Sequence, residues 1–336
     1  MVTKVTTPGT HPQFSTHGIL CNMSALPNQY LDSIAPTPLI PVQLAADEPV
    51  IWCKLEFLNP SGSTKDRIAR YILGKAWREG RLRPGGWVVE ASSGSTSIAM
   101  ALACAQLGAR FLAVMPEGVS NERVLIIRGY GGEIRFSPRA AGVPGAIAES
   151  EKIAAELGAF LPRQFENQEN ADAHRLHTAR EILAQIPGGA VDAVVSGVGT
   201  GGTLVGLYEG LSAGHCVIPV LARPVEGGIP RDLECCSFGG AGFSCRIPGV
   251  VDCISGIFRR AKLANLIEVN VSDEDAIQTT RALIRLGFPV GPSSGLNYRA
   301  AVMAHSLLGK PGAKVLTVFP DRMERYFSTE LFHAKS

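Results

Sequence analysis

Short apolar runs alternate with amphipathic segments along most of the chain, starting near residue 50. Runs with the length and composition of buried strands occur at 50–57, 87–91, 110–116, 133–137, 191–197, 216–222, 266–271 and 314–320. The apolar spacing of helices occurs over 65–80, 96–108, 120–130, 143–157, 169–186 and 201–212, and again from Ser272 and from Ser294. This alternation predicts an α/β fold with open, mostly parallel sheets and helices on both faces.

The length of 336 residues predicts about two domains. The pattern restarts after residue 160, so we expect a smaller α/β domain over 50–160 and a larger one formed by 37–49 plus 161–330. Residues 1–36 are polar and rich in Pro, Thr and Ser, which indicates an N-terminal arm. Residues 223–256 are irregular and predict a long functional loop. Two such domains place the ligand cleft at the carboxyl ends of their strands.

Composition excludes several classes of function. The chain is 46% hydrophobic with a net charge of +2, so no nucleic-acid or membrane surface is expected. No apolar run approaches the roughly 20 residues of a membrane span, and the start lacks the apolar core of a signal peptide, so the expected location is the cytoplasm. Eight cysteines without a CxxC pair are expected to be reduced, and no metal site is predicted.

A glycine-rich turn, 197–203, follows a predicted strand and opens a helix. Its Gly199, Gly201 and Gly202 allow close backbone approach, the helix start offers free N–H groups, and Thr200 and Thr203 add hydroxyls. This pattern predicts a phosphate site. It also fits the dinucleotide fingerprint, but the next strand ends in Ala222-Arg223-Pro224 instead of the acidic residue that this fingerprint needs.

Three further turns carry candidate chemistry. Segment 59–67 presents Lys65 at the start of a helix, where the dipole lowers an amine pKa, although a solvated surface lysine is the ordinary reading. Segment 92–96 and segment 291–295 each enter a helix with hydroxyl side chains, which suits carboxylate binding or a simple helix cap.

Taken together, these segments resemble the fold-type II pyridoxal phosphate (PLP) enzymes, and within them the cysteine synthase / cystathionine β-synthase family. The resemblance runs from Thr37 to Thr329 and includes a Gln-Phe segment at Gln164 and a closing Asp-x-x-x-Arg-Tyr at 321–326. It implies the two-domain fold of the tryptophan synthase β-subunit, with the active site between the domains, and a homodimer.

The resemblance also implies a role for each matching residue. Lys65 would hold PLP as a Schiff base and act as the catalytic base. Ser293, or the adjacent Ser294, would face the pyridine nitrogen, and Ser95 the ring hydroxyl. The phosphate would be held by Gly199, Thr200, Gly201, Gly202 and Thr203, and the substrate carboxylate by Ser92, Ser93, Gly94, Thr96 and Gln164.

The implied reaction is β-replacement on an O-activated L-serine, in the first place O-acetylserine, through an aminoacrylate, with sulfide giving L-cysteine. Ser95 stands where cysteine synthases have Asn, which keeps open two other reactions: desulfhydration of cysteine, and replacement by an amine to give a diaminopropionate-type product. A non-catalytic binding protein on the same fold is a more distant alternative. The expected partner is a small amino acid.

Overall fold

The computed structural model describes residues 34, 36–225, 246–250 and 255–333. Its strands are β1 Leu39–Val42, β2 Ile51–Lys54, β3 Trp87–Ala91, β4 Arg110–Pro116, β5 Glu133–Ser137, β6 Ala193–Ser196, β7 Ile218–Val225, β8 Ile267–Ser272 and β9 Val315–Val318. Its α-helices are α1 Lys65–Arg78, α2 Ser95–Leu107, α3 Asn121–Gly129, α4 Gly142–Leu157, α5 Glu169–Ala173, α6 Ala179–Gln185, α7 Gly202–Leu211, α8 Gly256–Arg260, α9 Asp273–Arg285 and α10 Pro292–Leu308.

The strands form two sheets. The larger has the order β1-β2-β9-β6-β7-β8 and the smaller the order β3-β4-β5. Pairing is parallel throughout the described strands except between β1 and β2, which run antiparallel. The predicted α/β fold with mostly parallel sheets is therefore confirmed.

Successive side chains of the buried strands point to opposite faces, and both faces are covered. Ala193 and Val195 of β6 pack in one apolar cluster with residues of α9 and α10. Val194, between them, packs in a second cluster with residues of α6 and α7. A strand buried on both faces needs a continuous apolar run, which is why residues 193–195 are all apolar.

The predicted elements match the observed ones closely. The predictions for β3, β4 and β5 agree to the residue, and the helix predicted over 169–186 is interrupted by a π-helical turn at His174–Thr178. The strand predicted at 50–57 ends at Lys54 and belongs to the larger sheet. The division into domains at residues 50 and 160 stays a prediction, because the sheets do not by themselves define folding units.

Two predicted segments lie largely outside the described residues. They are nearly all of the arm 1–36 and most of the loop 223–256. Of that loop, residues 223–225 complete β7, and 246–250 are described next to the site below. None of the helices in the described part of the chain is long and apolar enough to cross a membrane.

A buried ionic network fixes α1 to the larger sheet. Arg67 Nε lies 2.5 Å from a carboxylate oxygen of Glu56, and its Nη1 lies 2.6 Å from Glu181 of α6. Lys54 Nζ at the end of β2 lies 2.8 Å from the same Glu181. Because Arg67 is two residues after Lys65, this network sets the position of the first turn of α1.

Candidate active site

A cavity of about 490 Å³ lies at the carboxyl ends of β3, β6 and β9, where the turns of the two sheets meet. This is the position that the parallel strands predict for a ligand cleft. Eleven of the thirteen predicted site residues line the cavity, namely Lys65, Ser92, Ser93, Ser95, Thr96, Gln164, Gly199, Thr200, Gly201, Thr203 and Ser293. The other two, Gly94 and Gly202, are not among the lining residues and lie within the two turns.

Lys65 is the first residue of α1, and its side chain faces the cavity. Its amine makes no hydrogen bond or ion pair with any described residue. Burial lowers the pKa of Lys65, while the carboxylates of Asp321 and Glu56 raise it. The net direction is downward, so the amine gives up its proton more readily than a solvated lysine does.

The glycine turn closes tightly around the start of α7. Gly201 has φ +81°, which an L side chain rarely adopts. A Cβ on Gly202 would lie 1.9 Å from Asn170 Oδ1. No described side chain caps α7, so its first N–H groups remain available for an anion.

Buried polar side chains hold the two threonines of this turn. Asn170 Nδ2 donates to Thr200 Oγ1 at 2.9 Å, and Ser255 Oγ donates to the Thr200 carbonyl at 2.7 Å. Thr203 Oγ1 lies 3.3 Å from His174 Nε2. Burial lowers the pKa of His174 to about 3, so this imidazole is neutral near pH 7.

The hydroxyl turn at the start of α2 is organised internally. Ser92 Oγ accepts from the Gly94 N–H at 2.9 Å, and Thr96 Oγ1 donates to Gln164 Oε1 at 2.6 Å. Gln164 Nε2 in turn donates to the Ala91 carbonyl at 2.5 Å. Ser93 is half-buried on the cavity side. The structure thus brings together the predicted carboxylate-binding residues, although the Thr96 hydroxyl proton already bonds to Gln164.

Ser95 belongs to a second set of contacts, with Asp321. Its Oγ donates to Asp321 Oδ2 at 3.2 Å, and Tyr326 Oη donates to the same oxygen at 2.7 Å. The closing motif 321–326, to which the sequence assigned no site role, therefore contributes two residues to the cavity wall.

Of the two adjacent serines at the start of α10, Ser293 lines the cavity. Ser294 is fully buried, and its hydroxyl has no partner among the described residues. The geometry therefore favours Ser293 as the serine that reaches a ligand.

Several lining or supporting residues were missed by sequence reasoning. Asn297 holds the end of β6, since its Oδ1 accepts from the Gly197 N–H at 2.7 Å. Asn170 and Arg123 are buried polar residues on helices. A single amide among small and apolar helix residues could have indicated that Asn170 and Asn297 are buried. Nothing in the sequence indicated that Arg123 is buried.

The comparisons with known proteins agree with this geometry. Residues 30–321 match the family described as "Pyridoxal-phosphate dependent enzyme". The chain is 36% identical to the cysteine synthase of Staphylococcus aureus strain Mu50 over 308 residues, 89% of this chain and 95% of that protein. The chain belongs to the pyridoxal-phosphate dependent enzyme family.

Solved structures are similar over the same length. An O-ureido-L-serine synthase has 32% identity and a TM-score of 0.79, with 91% of this chain and 95% of that chain covered. An O-acetylserine dependent cystathionine beta-synthase from Helicobacter pylori has 31% identity and a TM-score of 0.77, with 90% and 97% covered. The predicted fold type, dependence on PLP and enzymatic nature are confirmed.

Proposed function

We propose that this member of the pyridoxal-phosphate dependent enzyme family catalyses β-replacement on an O-activated L-serine. The preferred donor is O-acetylserine, and sulfide is the nucleophile, so the product is L-cysteine. The observation that carries this proposal is the convergence of Lys65, the hydroxyl turn 92–96 and the glycine turn 199–203 on one cavity. The similar proteins named above include a cysteine synthase and an O-acetylserine dependent enzyme, which favours the same donor.

The cavity residues fit PLP. The glycine turn packs against Asn170 so closely that no side chain fits at Gly202, and the start of α7 offers N–H groups that no described side chain caps, which suits the phosphate. The Lys65 amine has no partner among the described residues and faces the cavity from a different element, as a Schiff-base lysine must. Ser293 would hold the pyridine nitrogen. When bound, PLP supplies the electron sink that allows the Cα–H and Cβ–O bonds of the amino acid to break.

Lys65 is the base that the geometry supports best. It takes the proton from Cα, the bond from Cβ to the activated oxygen breaks, and acetate leaves. Sulfide then forms the Cβ–S bond, and Lys65 returns a proton to Cα. An amine whose pKa burial has lowered is suited to both steps, because it gives up its proton more readily than a solvated lysine and is then free to accept one.

The α2 start is the proposed carboxylate site. Its N–H groups and the Ser93 hydroxyl face the cavity, and the dipole of a 13-residue helix favours a negative charge there. Gln164 bonds to both Thr96 and the Ala91 carbonyl at the end of β3, and so fixes the shape of the turn. Its second amide N–H is proposed to donate to the substrate carboxylate.

A spectral titration tests the proposal. The purified holoenzyme is titrated with O-acetylserine, O-phosphoserine, serine and cysteine while its visible absorbance is followed. O-acetylserine is expected to shift the band, and sulfide to restore it with release of cysteine. Sulfide evolution from cysteine without a response to O-acetylserine would instead establish desulfhydration, and turnover with amines alone would establish a diaminopropionate-type synthase.

The role of Lys65 is tested separately by Lys65→Ala. Borohydride reduction of the wild type is expected to fix the cofactor mass on the peptide that contains Lys65. Lys65→Ala should show no such adduct and no visible band shift with O-acetylserine. An adduct on another lysine would contradict the assignment.

We also infer a cytoplasmic homodimer, in line with the resemblance to cysteine synthases. Light scattering after size-exclusion chromatography should give twice the mass of 35.6 kDa. A monomeric mass at micromolar concentration would contradict this inference.

A further inference from the structure

Arg123 is a buried cation at the edge of the cavity. It is the third residue of α3, exposes 7% of its surface and lines the cavity. Its guanidinium makes no hydrogen bond or ion pair with any described residue, and its buried Nε has no partner there. The guanidinium also lies near the ring of Tyr326, with 4.9 Å between Arg123 Cζ and the ring centroid.

A buried arginine without a carboxylate is costly, because it loses water without gaining a counter-charge. No described carboxylate lies within ion-pair distance of the Arg123 guanidinium, and the acids around the cavity bond to other groups. Glu122 accepts from Ser328 at 2.9 Å, and Asp321 accepts from Tyr326 and Ser95. Glu330, also on the cavity wall, pairs with Arg246 at 2.6 Å. The charge of Arg123 is therefore left for a ligand.

Arg123 lies next to the turn that we propose binds the substrate carboxylate. A Cβ on Gly94 would lie 2.1 Å from Arg123 Cδ, so the arginine packs directly on the proposed carboxylate turn. Ser120 and Asn121, at the start of α3, line the cavity beside it. The positive end of a nine-residue helix and a guanidinium thus act on the same region.

We propose that Arg123 and the start of α3 form a subsite for a second anionic group, distinct from the α-carboxylate. That group is an oxyanion, phosphate or carboxylate, carried by the leaving group of the donor or by the incoming nucleophile. Arg123 is then a specificity-determining residue. This inference rests on the proposed function, since it assigns part of the same cavity.

The experiment compares the wild type with Arg123→Met in matched pairs of substrates. One pair is O-phosphoserine and O-acetylserine with sulfide, which tests the leaving group. The other is mercaptoacetate and mercaptoethanol with O-acetylserine, which tests the nucleophile. Arg123→Met should lower kcat/KM about 30-fold or more for the anionic member of one pair and much less for its neutral member. Arg123→Lys, which keeps the charge but loses the planar fork, should lose less.

Arg128→Met is the matched control, because Arg128 is exposed on the same helix and does not line the cavity. It should behave as the wild type. An equal loss for both members of each pair would mean that Arg123 acts on the shared α-carboxylate or on the shape of the turn, and would overturn the proposal. An unchanged ratio in both pairs would overturn it as well.

A measurement independent of turnover separates this inference from the proposed function. The holoenzyme, whose cofactor already fills the glycine turn, is titrated calorimetrically with inorganic phosphate. Binding to the wild type that weakens about 30-fold or more in Arg123→Met supports the subsite even if neither donor reacts. Equal affinities, or no binding to the wild type, would count against it.

Discussion

Glu90 is a buried carboxyl whose titration should change the stability of this protein between pH 5 and 8. It lies in β3, is 2% exposed and has no ion pair among the described residues. Its oxygens accept from the Ala91 N–H at 3.0 Å and from the Gln164 N–H at 3.2 Å. Burial raises the pKa of Glu90 to about 8 from an ordinary 4.5, and the two N–H groups only partly oppose this.

The sign follows from proton uptake. Between pH 4.5 and 8 the folded protein holds a proton on Glu90 that the unfolded chain has lost. The contribution of this group therefore makes the free energy of unfolding fall as pH rises through that window. Each pH unit is worth about 1.4 kcal/mol, so the decrease from pH 5 to pH 8 is about 4 kcal/mol.

The substitution Glu90→Gln removes this titration. A glutamine amide has one acceptor for two N–H groups, which adds a constant cost at every pH. The prediction therefore concerns the slope of the free energy of unfolding against pH. Relative to the wild type, the free energy of unfolding of the variant should rise by about 4 kcal/mol between pH 5 and 8. At roughly 2.1 cal/mol/K per residue this is a relative gain in Tm of about 6 °C.

The assay is thermal unfolding of holoenzyme at pH 5, 6, 7 and 8, with wild type, Glu90→Gln and the exposed control Glu156→Gln. The wild type and control should give parallel Tm curves. If the Glu90→Gln curve is parallel to them too, Glu90 is not protonated in the folded protein and the electrostatic argument fails.

Two further substitutions test the glycine turn and the ionic network. Gly202→Ala places a Cβ 1.9 Å from Asn170 Oδ1, so we expect the affinity of the apoenzyme for PLP to fall about tenfold or more in a titration. The control Gly129→Ala has open space at its Cβ and should leave this affinity unchanged. Arg67→Met leaves Glu56 buried without its counter-charge, so urea unfolding should show a loss of about 3–5 kcal/mol, and a loss below 1 kcal/mol would contradict the network's role.

The sequence pattern was sufficient for most elements because the strands of this fold are buried on both faces. A continuous apolar run between glycines marks β4 without knowledge of the partner strand. It failed at β1, Leu39–Val42, where Pro38 and Pro41 hide a short edge strand. It also extended β2 past Lys54, because the next residues form a 3₁₀ turn at Glu56–Leu58 in which Phe57 is buried as it would be in a strand.

The site was predictable where its chemistry depends on local turns. Glycines and hydroxyls at helix starts are visible in any sequence, and those at 92–96 and 199–203 converge as expected. Arg123 was not predictable, because an arginine beside Glu122 on a nine-residue helix has the pattern of a solvated face. Its burial arises from Gly94 and Tyr326, which are distant in sequence on either side.

Contacts between distant segments also bear on the proposed role of Lys65 as both acid and base. Burial alone would favour a neutral amine, but the Asp321 carboxylate raises the pKa of Lys65 again. Hydrogen bonds from Ser95 and Tyr326 stabilise the charge on Asp321 and keep that carboxylate in place. Ser95, which stands where cysteine synthases have Asn, therefore bonds to Asp321, the carboxylate that raises the pKa of Lys65 against the effect of burial. In the proposed β-replacement Lys65 takes a proton from Cα and gives one back, and its burial and the Asp321 carboxylate act on its pKa in opposite directions.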